Sequence, residues 1–196
     1  MRRLESCLAR LLPHLVGDDV ALTGGIALAV HLPTSRATVA DVDFVARRMS
    51  AVSPSVARDF LVSHFHVVQP GVPKALVQLV DPVTRLRIDV FADLAGAVAR
   101  ARRTTVAGAA LLVVGAADLL AHKLQLLGKP VDEKHWRDAV ALAGLCAAPP
   151  PPRPAAFAPD RYSTDLALDC DRCARSRSPD FPLAPKLAIF EQLGYV

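Results

Sequence analysis

The stretch LTGGIALAVHLPTSRATVADVDFV, residues 22–45, is the most informative part of the sequence, because it joins a glycine pair to a predicted strand that carries two carboxylates. Val20–Thr23 predicts a short strand, Gly24-Gly25 a turn, and residues 26–31 the start of a helix. In this order of elements, two residues without side chains, Gly24 and Gly25, come just before the N-terminus of a helix.

The second part of this stretch, residues 39–45, alternates in the manner of a β-strand. Asp41, Asp43 and Val45 are expected on one face, and the apolar residues between them on the other. Two carboxylates therefore share one face of a strand in a chain that is otherwise largely apolar.

A divalent cation would explain these carboxylates. Two like charges about 4 Å apart repel by roughly 4 kcal/mol at an effective dielectric constant near 20. Mg²⁺ prefers oxygen ligands and reverses the sign of that interaction. Asp41, Asp43 and Asp89, which lies in a later β-rich run, would form a metal site if their strands are neighbours. The alternative is that the two aspartates are the exposed face of an edge strand.

The glycine pair suggests a nucleotide. Without Cβ atoms at Gly24 and Gly25, backbone N–H groups can approach phosphate oxygens, and the N-terminus of the following helix favours negative charge. The alternative is an ordinary strand-to-helix turn. The combination of a glycine pair, two aspartates on one strand and a third on another is more specific than any of its parts.

With these motifs, LTGGIALAVHL…RATVADVDF resembles the nucleotidyltransferase superfamily related to DNA polymerase β, over roughly residues 18–145. Within it, the sequence is most similar to the AbiEii-type group, which includes toxins of type IV toxin–antitoxin systems. The resemblance implies that Gly24 and Gly25 open the nucleotide site, that Asp41, Asp43 and Asp89 bind Mg²⁺, and that an NTP is the donor.

The chain departs from the family pattern between its glycines and its aspartates. The family often has Arg-x-Ser/Thr-x-Asp-x-Asp, whereas Arg36 and Thr38 precede Asp41 and Asp43 with one extra residue. The resemblance makes Arg36 and Thr38 candidates for nucleotide binding, although their roles depend on this altered spacing.

A lysine in an apolar helical stripe is a further candidate. In residues 118–127, DLLAHKLQLL, Lys123 lies between Leu119 and Leu127 on one side of the predicted helix. Such a lysine either extends to water or has a buried anionic partner. The resemblance maps Lys123 onto a functional lysine, with a nucleotide phosphate as that partner.

The next helical segment, EKHWRDAVALAGL, resembles a K-D-x-x-D element of the family in which His135 replaces the first acidic residue and Asp138 is retained. The resemblance places Asp138 near the active site. The alternative is an i,i+4 salt bridge with Lys134, worth only about 0.3–0.5 kcal/mol.

Between these motifs, residues 54–66 are predicted to be helical, and residues 75–91 to form a hairpin around Asp81-Pro82. Helical patterns return at 116–127 and 132–147. The predicted fold is α/β (α+β), with a small mixed sheet, flanking helices and a helical C-terminal region.

We expect a nucleotidyltransferase-like domain at 1–148, a Pro-rich linker at 149–154 and a tail at 155–196. The tail carries Cys170 and Cys173 as a CxxC, for which half a zinc site, a disulfide and free thiols all remain open.

Composition narrows the class of protein. Hydrophobic residues make up 52% and charged residues 21% of 196 residues, which indicates a globular chain. The longest apolar run, 106–117, is shorter than the roughly 20 residues of a membrane span, and residues 1–19 predict an amphipathic helix rather than a signal peptide. No membrane association and a cytoplasmic location are therefore expected.

The net charge is +4, and much of the positive charge comes from arginine clusters. Such clusters either bind polyanionic partners or form a solvated surface.

We expect Mg²⁺-dependent transfer of a nucleoside monophosphate from NTP to an acceptor hydroxyl. The acceptor could be tRNA, with an antitoxin protein as partner. The alternatives are an inactive nucleotidyltransferase-like binding module and an aminoglycoside-type enzyme with a small-molecule acceptor.

Overall fold

The computed structural model describes residues 2–33, 41–66, 76–127 and 133–157. Within these ranges the α-helices are α1 Arg2–Leu11, α2 Gly24–His31, α3 Val56–Asp59, α4 Ala97–Arg100, α5 Ala116–Leu127 and α6 Glu133–Leu145. The strands are β1 Val20–Thr23, β2 Asp41–Ala46, β3 Leu61–His66, β4 Leu76–Val80, β5 Arg87–Ala92, β6 Arg102–Val106 and β7 Ala109–Val113.

All seven described strands form one mixed sheet in the order β3-β4-β5-β2-β1-β7-β6. The pairs β2–β5 and β1–β7 are parallel, and the other neighbours are antiparallel. β2 therefore lies inside the sheet between β5 and β1. This position excludes the edge-strand explanation of Asp41 and Asp43.

The burial of β2 alternates along the strand. Val42, Phe44 and Ala46 are fully buried, whereas Asp41 and Asp43 on the other face are only partly buried. α2 packs against β1 and β2 and contacts α5, which in turn packs along α6. The aspartate face of the sheet thus lies next to the start of α2, with the helical C-terminal region nearby.

The N-terminal helix is amphipathic, as predicted, and buries Leu4, Cys7, Leu8 and Leu11. Arg3 at its start donates two hydrogen bonds to the carbonyl oxygen of Thr84 in the β4–β5 turn. The helix is therefore tied to the sheet by apolar packing and by hydrogen bonds.

The predicted fold class, the hairpin around Asp81-Pro82 and the two late helices are confirmed. The prediction of a helix over 54–66 is wrong, because only Val56–Asp59 is helical and Leu61–His66 is a strand. Pairing with β4 gives residues 61–66 a ladder of backbone hydrogen bonds, and such tertiary pairing overrides a weak local helical pattern.

The hairpin of β6 and β7 was not predicted from the sequence. Its turn residues, Ala107 and Gly108, have φ values of 47° and 81°. Positive φ at both central residues is typical of a type I′ turn, which matches the twist of paired strands. Ala-Gly is a weaker signal for this turn than Asn-Gly. Because the residues around the turn form one continuous apolar run, the sequence does not show where β6 ends and β7 begins.

The proline-rich segment contacts the helices. Trp136 Nε1 donates to the carbonyl oxygen of Pro151 at 3.3 Å, and the Arg153 guanidinium stacks over the Trp136 ring. Residues 158–196 lie outside the described part, so Cys170 and Cys173 and the predicted division into domain, linker and tail stay predictions. None of the described helices has the length and apolar character needed to span a membrane.

Candidate active site

Two aspartates meet across the centre of the sheet. Asp43 on β2 and Asp89 on β5 are directly paired in the parallel register, and Asp41 is paired with Arg87 two residues earlier. Since residues i and i+2 share a strand face, all four side chains lie on one face. The predicted neighbourhood of Asp41, Asp43 and Asp89 is therefore present in the fold.

Arg87 lies among these carboxylates. Its Nη2 donates to Asp41 Oδ2 at 3.1 Å, and its Nε is 3.3 Å from Asp89 Oδ2. The Arg87 side chain is only 7% exposed. Gln78 on β4 donates from Nε2 to Asp89 Oδ1 at 2.8 Å. Asp89 is thus oriented by two neighbours, and one guanidinium joins two of the three carboxylates.

Asp43 has an unfavourable environment for a negative charge. Burial, followed by the nearby charges of Asp41 and Asp89, raises the pKa of the Asp43 carboxyl well above its ordinary value. Arg87 and Lys123 act in the opposite direction but do not cancel the effect. Burial and the neighbouring carboxylates therefore both disfavour the ionised form of Asp43, and a bound cation would favour it.

Gly24 makes room for the Asp43 carboxylate. Gly24 is the first residue of α2 and has a φ of 64°. A Cβ atom at this position would lie 1.9 Å from Asp43 Oδ2. The backbone of the glycine turn therefore closely approaches the acidic cluster, and no side chain larger than hydrogen fits there. Gly25 follows as the second residue of α2.

Lys123 on α5 is held by residues of α6. Its Nζ is 2.9 Å from Asp138 Oδ2 and 3.2 Å from His135 Nδ1. An ammonium group can only donate, so His135 Nδ1 accepts and carries no proton in this arrangement. The Lys123 side chain is 6% exposed, which excludes the interpretation that it extends to water.

The sequence placed Lys123 correctly within an apolar stripe, but its anionic partner in the structure is Asp138. The alternative pairing of Asp138 with Lys134 stays a prediction beside this contact at 2.9 Å. Lys123 also lies close enough to Asp43 to lower the pKa of that carboxyl. It therefore connects the acidic cluster on the sheet to α6.

The three carboxylates on adjacent strands are the kind of oxygen ligand that Mg²⁺ prefers. In the described ranges, no group of three or more His, Cys, Asp and Glu side chains is arranged to hold a metal ion. Arg87 contacts two of the carboxylates in this arrangement. Mg²⁺ binding stays a prediction.

Sequence reasoning missed the contribution of two residues. Arg87 and Gln78 were not among the predicted site residues. The available signal was the Arg-x-Asp spacing in RLRIDV, because an arginine two residues from a carboxylate on one strand face can reach it. Arg36 and Thr38 lie outside the described residues, and their predicted roles are untested.

No protein-family model matches the chain, and no curated protein matches it by sequence. Among solved structures, the chain is similar to an antigenic nucleotidyltransferase-like protein from Paracoccidioides brasiliensis. The TM-score is 0.40 at 19% identity, over 94% of this chain and 88% of that one.

Two proteins from Helicobacter pylori also match. JHP933 does so with a TM-score of 0.37 at 12% identity, over 72% of this chain and 66% of that one. A protein described as a candidate nucleotidyltransferase has a TM-score of 0.33 at 12% identity, over 97% and 94%. Two of these three neighbours are thus nucleotidyltransferase-like by description.

Proposed function

We propose that this protein is a Mg²⁺-dependent nucleotidyltransferase that transfers a nucleoside monophosphate from NTP to an acceptor hydroxyl. The observation that carries the proposal is the direct pairing of Asp43 with Asp89, next to Asp41 and beneath the Gly24 turn. This pairing places carboxylates close together beside Gly24, where the backbone carries no Cβ atom.

The reaction requires a balanced displacement at phosphorus. The acceptor oxygen forms a bond to the α-phosphorus of NTP, the bond from that phosphorus to the bridging oxygen breaks, and pyrophosphate leaves with the electron pair. Asp89 accepts the proton of the acceptor hydroxyl. Gln78, which donates to Asp89 Oδ1, fixes the orientation of this carboxylate.

Asp41, Asp43 and Asp89 would hold the metal. When bound, Mg²⁺ supplies positive charge to the phosphate oxygens and to the departing pyrophosphate. Lys123 adds a further positive charge on the α5 side, and Gly24 and Gly25 offer the backbone and the N-terminus of α2 to the triphosphate. Catalysis then consists mainly of positioning and charge stabilisation.

The acceptor that we favour is a polyanionic RNA such as tRNA, which would fit a toxin of the AbiEii type with a cognate antitoxin. Exposed arginines, including Arg47 and Arg48, and the net charge of +4 support this choice. With a small-molecule acceptor, the reaction at phosphorus would be the same. An acceptor screen distinguishes this case from an RNA acceptor.

A second candidate function is a nucleotide-binding module without turnover. The observation that favours it is the contact of Arg87 with both Asp41 and Asp89, because this guanidinium already neutralises part of the acidic cluster. Under this alternative NTP binds, but no nucleotide is transferred to any acceptor.

The test incubates the purified protein with each labelled NTP, Mg²⁺ and total tRNA. The Asp89→Asn variant is the main comparison, and Asp18→Asn, at an exposed aspartate that pairs with Arg103, is the matched control. We expect Asp89→Asn to lose transfer by at least about 10²-fold and Asp18→Asn to retain it. NTP binding without transfer would favour the second candidate. Absence of both transfer and calorimetric NTP binding would contradict either function.

A further inference from the structure

Arg87 contributes a positive charge inside the acidic cluster. The residue begins β5, where its register partner on β2 is Asp41, and Asp89 follows two residues later on the same face. Its guanidinium contacts Asp41 Oδ2 at 3.1 Å and Asp89 Oδ2 at 3.3 Å. Both Arg87 and Asp89 are 6% exposed, so bulk water screens these contacts weakly.

The oxygens that Arg87 contacts are the ones that a metal ion would need. A divalent cation bound by Asp41 and Asp89 requires lone pairs of their carboxylate oxygens at about 2.0–2.1 Å. The guanidinium donates a hydrogen bond to Asp41 Oδ2 and lies 3.3 Å from Asp89 Oδ2, and it would repel a second cation placed between these two oxygens. The arrangement therefore favours one cation at a time at these two carboxylates.

We propose that Arg87 is an internal counterion that blocks the metal site, and that it must release Asp41 and Asp89 before a divalent cation binds. The inference rests on the proposed function, in that it assigns the metal site to the same three carboxylates. It adds a regulatory contact, because the Arg87 guanidinium lies against two of the carboxylates that would hold the ion. The released guanidinium can then pair with an anionic group such as the triphosphate of the donor.

The experiment measures Mn²⁺ binding to the full chain without nucleotide, by electron paramagnetic resonance and calorimetry. Arg87→Gln removes the charge, and Arg87→Lys retains a positive charge. Arg137→Gln changes an exposed arginine that pairs with Glu133 and serves as the matched control. We expect Arg87→Gln to bind Mn²⁺ at least about tenfold more tightly than the wild type. The affinities of Arg87→Lys and Arg137→Gln should stay close to that of the wild type.

Thermal unfolding provides a second readout. Without metal, Arg87→Gln should have a lower Tm than the wild type, because three carboxylates lose a counterion. Added Mg²⁺ should raise the Tm of Arg87→Gln by more than it raises that of the wild type. If Arg87→Gln does not fold without metal, the wild-type protein with ¹⁵N-labelled arginine is used. Saturating Mg²⁺ should then shift the Nε–H signal of Arg87, identified by its absence from Arg87→Lys.

Three results would overturn the inference. The first is that Arg87→Gln binds Mn²⁺ no more tightly than the wild type does. This result would overturn the inference but not the proposed function, because the wild type would still bind the metal. An Arg87 Nε–H signal that is unchanged at saturating Mg²⁺ would do the same. Absence of Mn²⁺ binding in both proteins, each shown to be folded, would overturn the inference and the proposed metal-dependent function together.

Discussion

Asp43 and Asp89 are direct neighbours across the parallel pair of β2 and β5. Their distance in sequence is large, but the strand register places both on the same face of the sheet as Asp41. A shift of one residue in this register would put Asp89 on the opposite face, because strand side chains alternate. The candidate site is therefore a product of strand pairing, and its properties can be tested residue by residue.

Gly24→Ala should disrupt the site and the fold around it. The new Cβ would lie 1.9 Å from Asp43 Oδ2, and alanine would have to adopt a φ of 64°. Backbone strain of about 1–2 kcal/mol and overpacking of about 1–3 kcal/mol predict a loss of at least ~2 kcal/mol in the free energy of unfolding. Urea denaturation followed by circular dichroism measures this loss.

Gly144→Ala is the matched control for this substitution. Gly144 is helical, and a Cβ there would meet nothing within 4 Å. We expect the free energy of unfolding to increase by about 0.5–1 kcal/mol, because alanine loses less backbone freedom than glycine when it is held in a helix. Equal effects of the two substitutions would contradict the close approach of Gly24 to Asp43.

The buried pair of Lys123 and Asp138 should show strong thermodynamic coupling. Replacement of Lys123 by Met removes the ammonium that lies 2.9 Å from the buried Asp138 carboxylate, and replacement of Asp138 by Leu removes the carboxylate from the buried Lys123. Each single change should cost about 3–5 kcal/mol. The double variant should lose clearly less than the sum, which a double-mutant cycle in urea measures. Strict additivity would show that the two side chains do not interact in solution.

The stability of the protein should depend on pH through Asp43. Its folded-state pKa is raised, whereas the unfolded carboxyl titrates near ~3.9. Between these two pKa values the folded state binds more protons, so the free energy of unfolding falls as pH rises through this window. In Asp43→Asn this contribution is absent. Denaturant unfolding of both proteins from about pH 4 upward, without metal, should give curves that diverge; parallel curves would contradict the raised pKa.

Cys7 should be unreactive in the native protein. Burial, and next the charge of Asp81, raise the pKa of the Cys7 thiol to about 12, so that little of the reactive thiolate forms at neutral pH. Iodoacetamide treatment followed by peptide mass mapping should find Cys146, which is half-buried, modified well before Cys7. In urea both cysteines should react. Rapid native labelling of Cys7 would mean that α1 detaches from the sheet.

Much of the site could be predicted from the sequence because its signals are local. The alternation of residues 39–45 placed Asp41 and Asp43 on one face, and Lys123 was recognised by its position in an apolar stripe. The prediction of a helix over 54–66 failed for the opposite reason, because pairing with β4 makes residues 61–66 a strand and the local pattern is ambiguous.

Local spacing along the chain placed the glycine pair before α2, the two aspartates on one face of β2 and the apolar residues on single faces of the helices. Their partners come from tertiary packing. It put β2 between β1 and β5, set Gly24 against the Asp43 carboxylate, paired Lys123 with Asp138, and brought Arg87 into contact with both Asp41 and Asp89. The physical reason is that helix and strand periodicity are properties of a few consecutive residues. Strand order, register and burial, in contrast, arise only when distant segments pack together and exclude water.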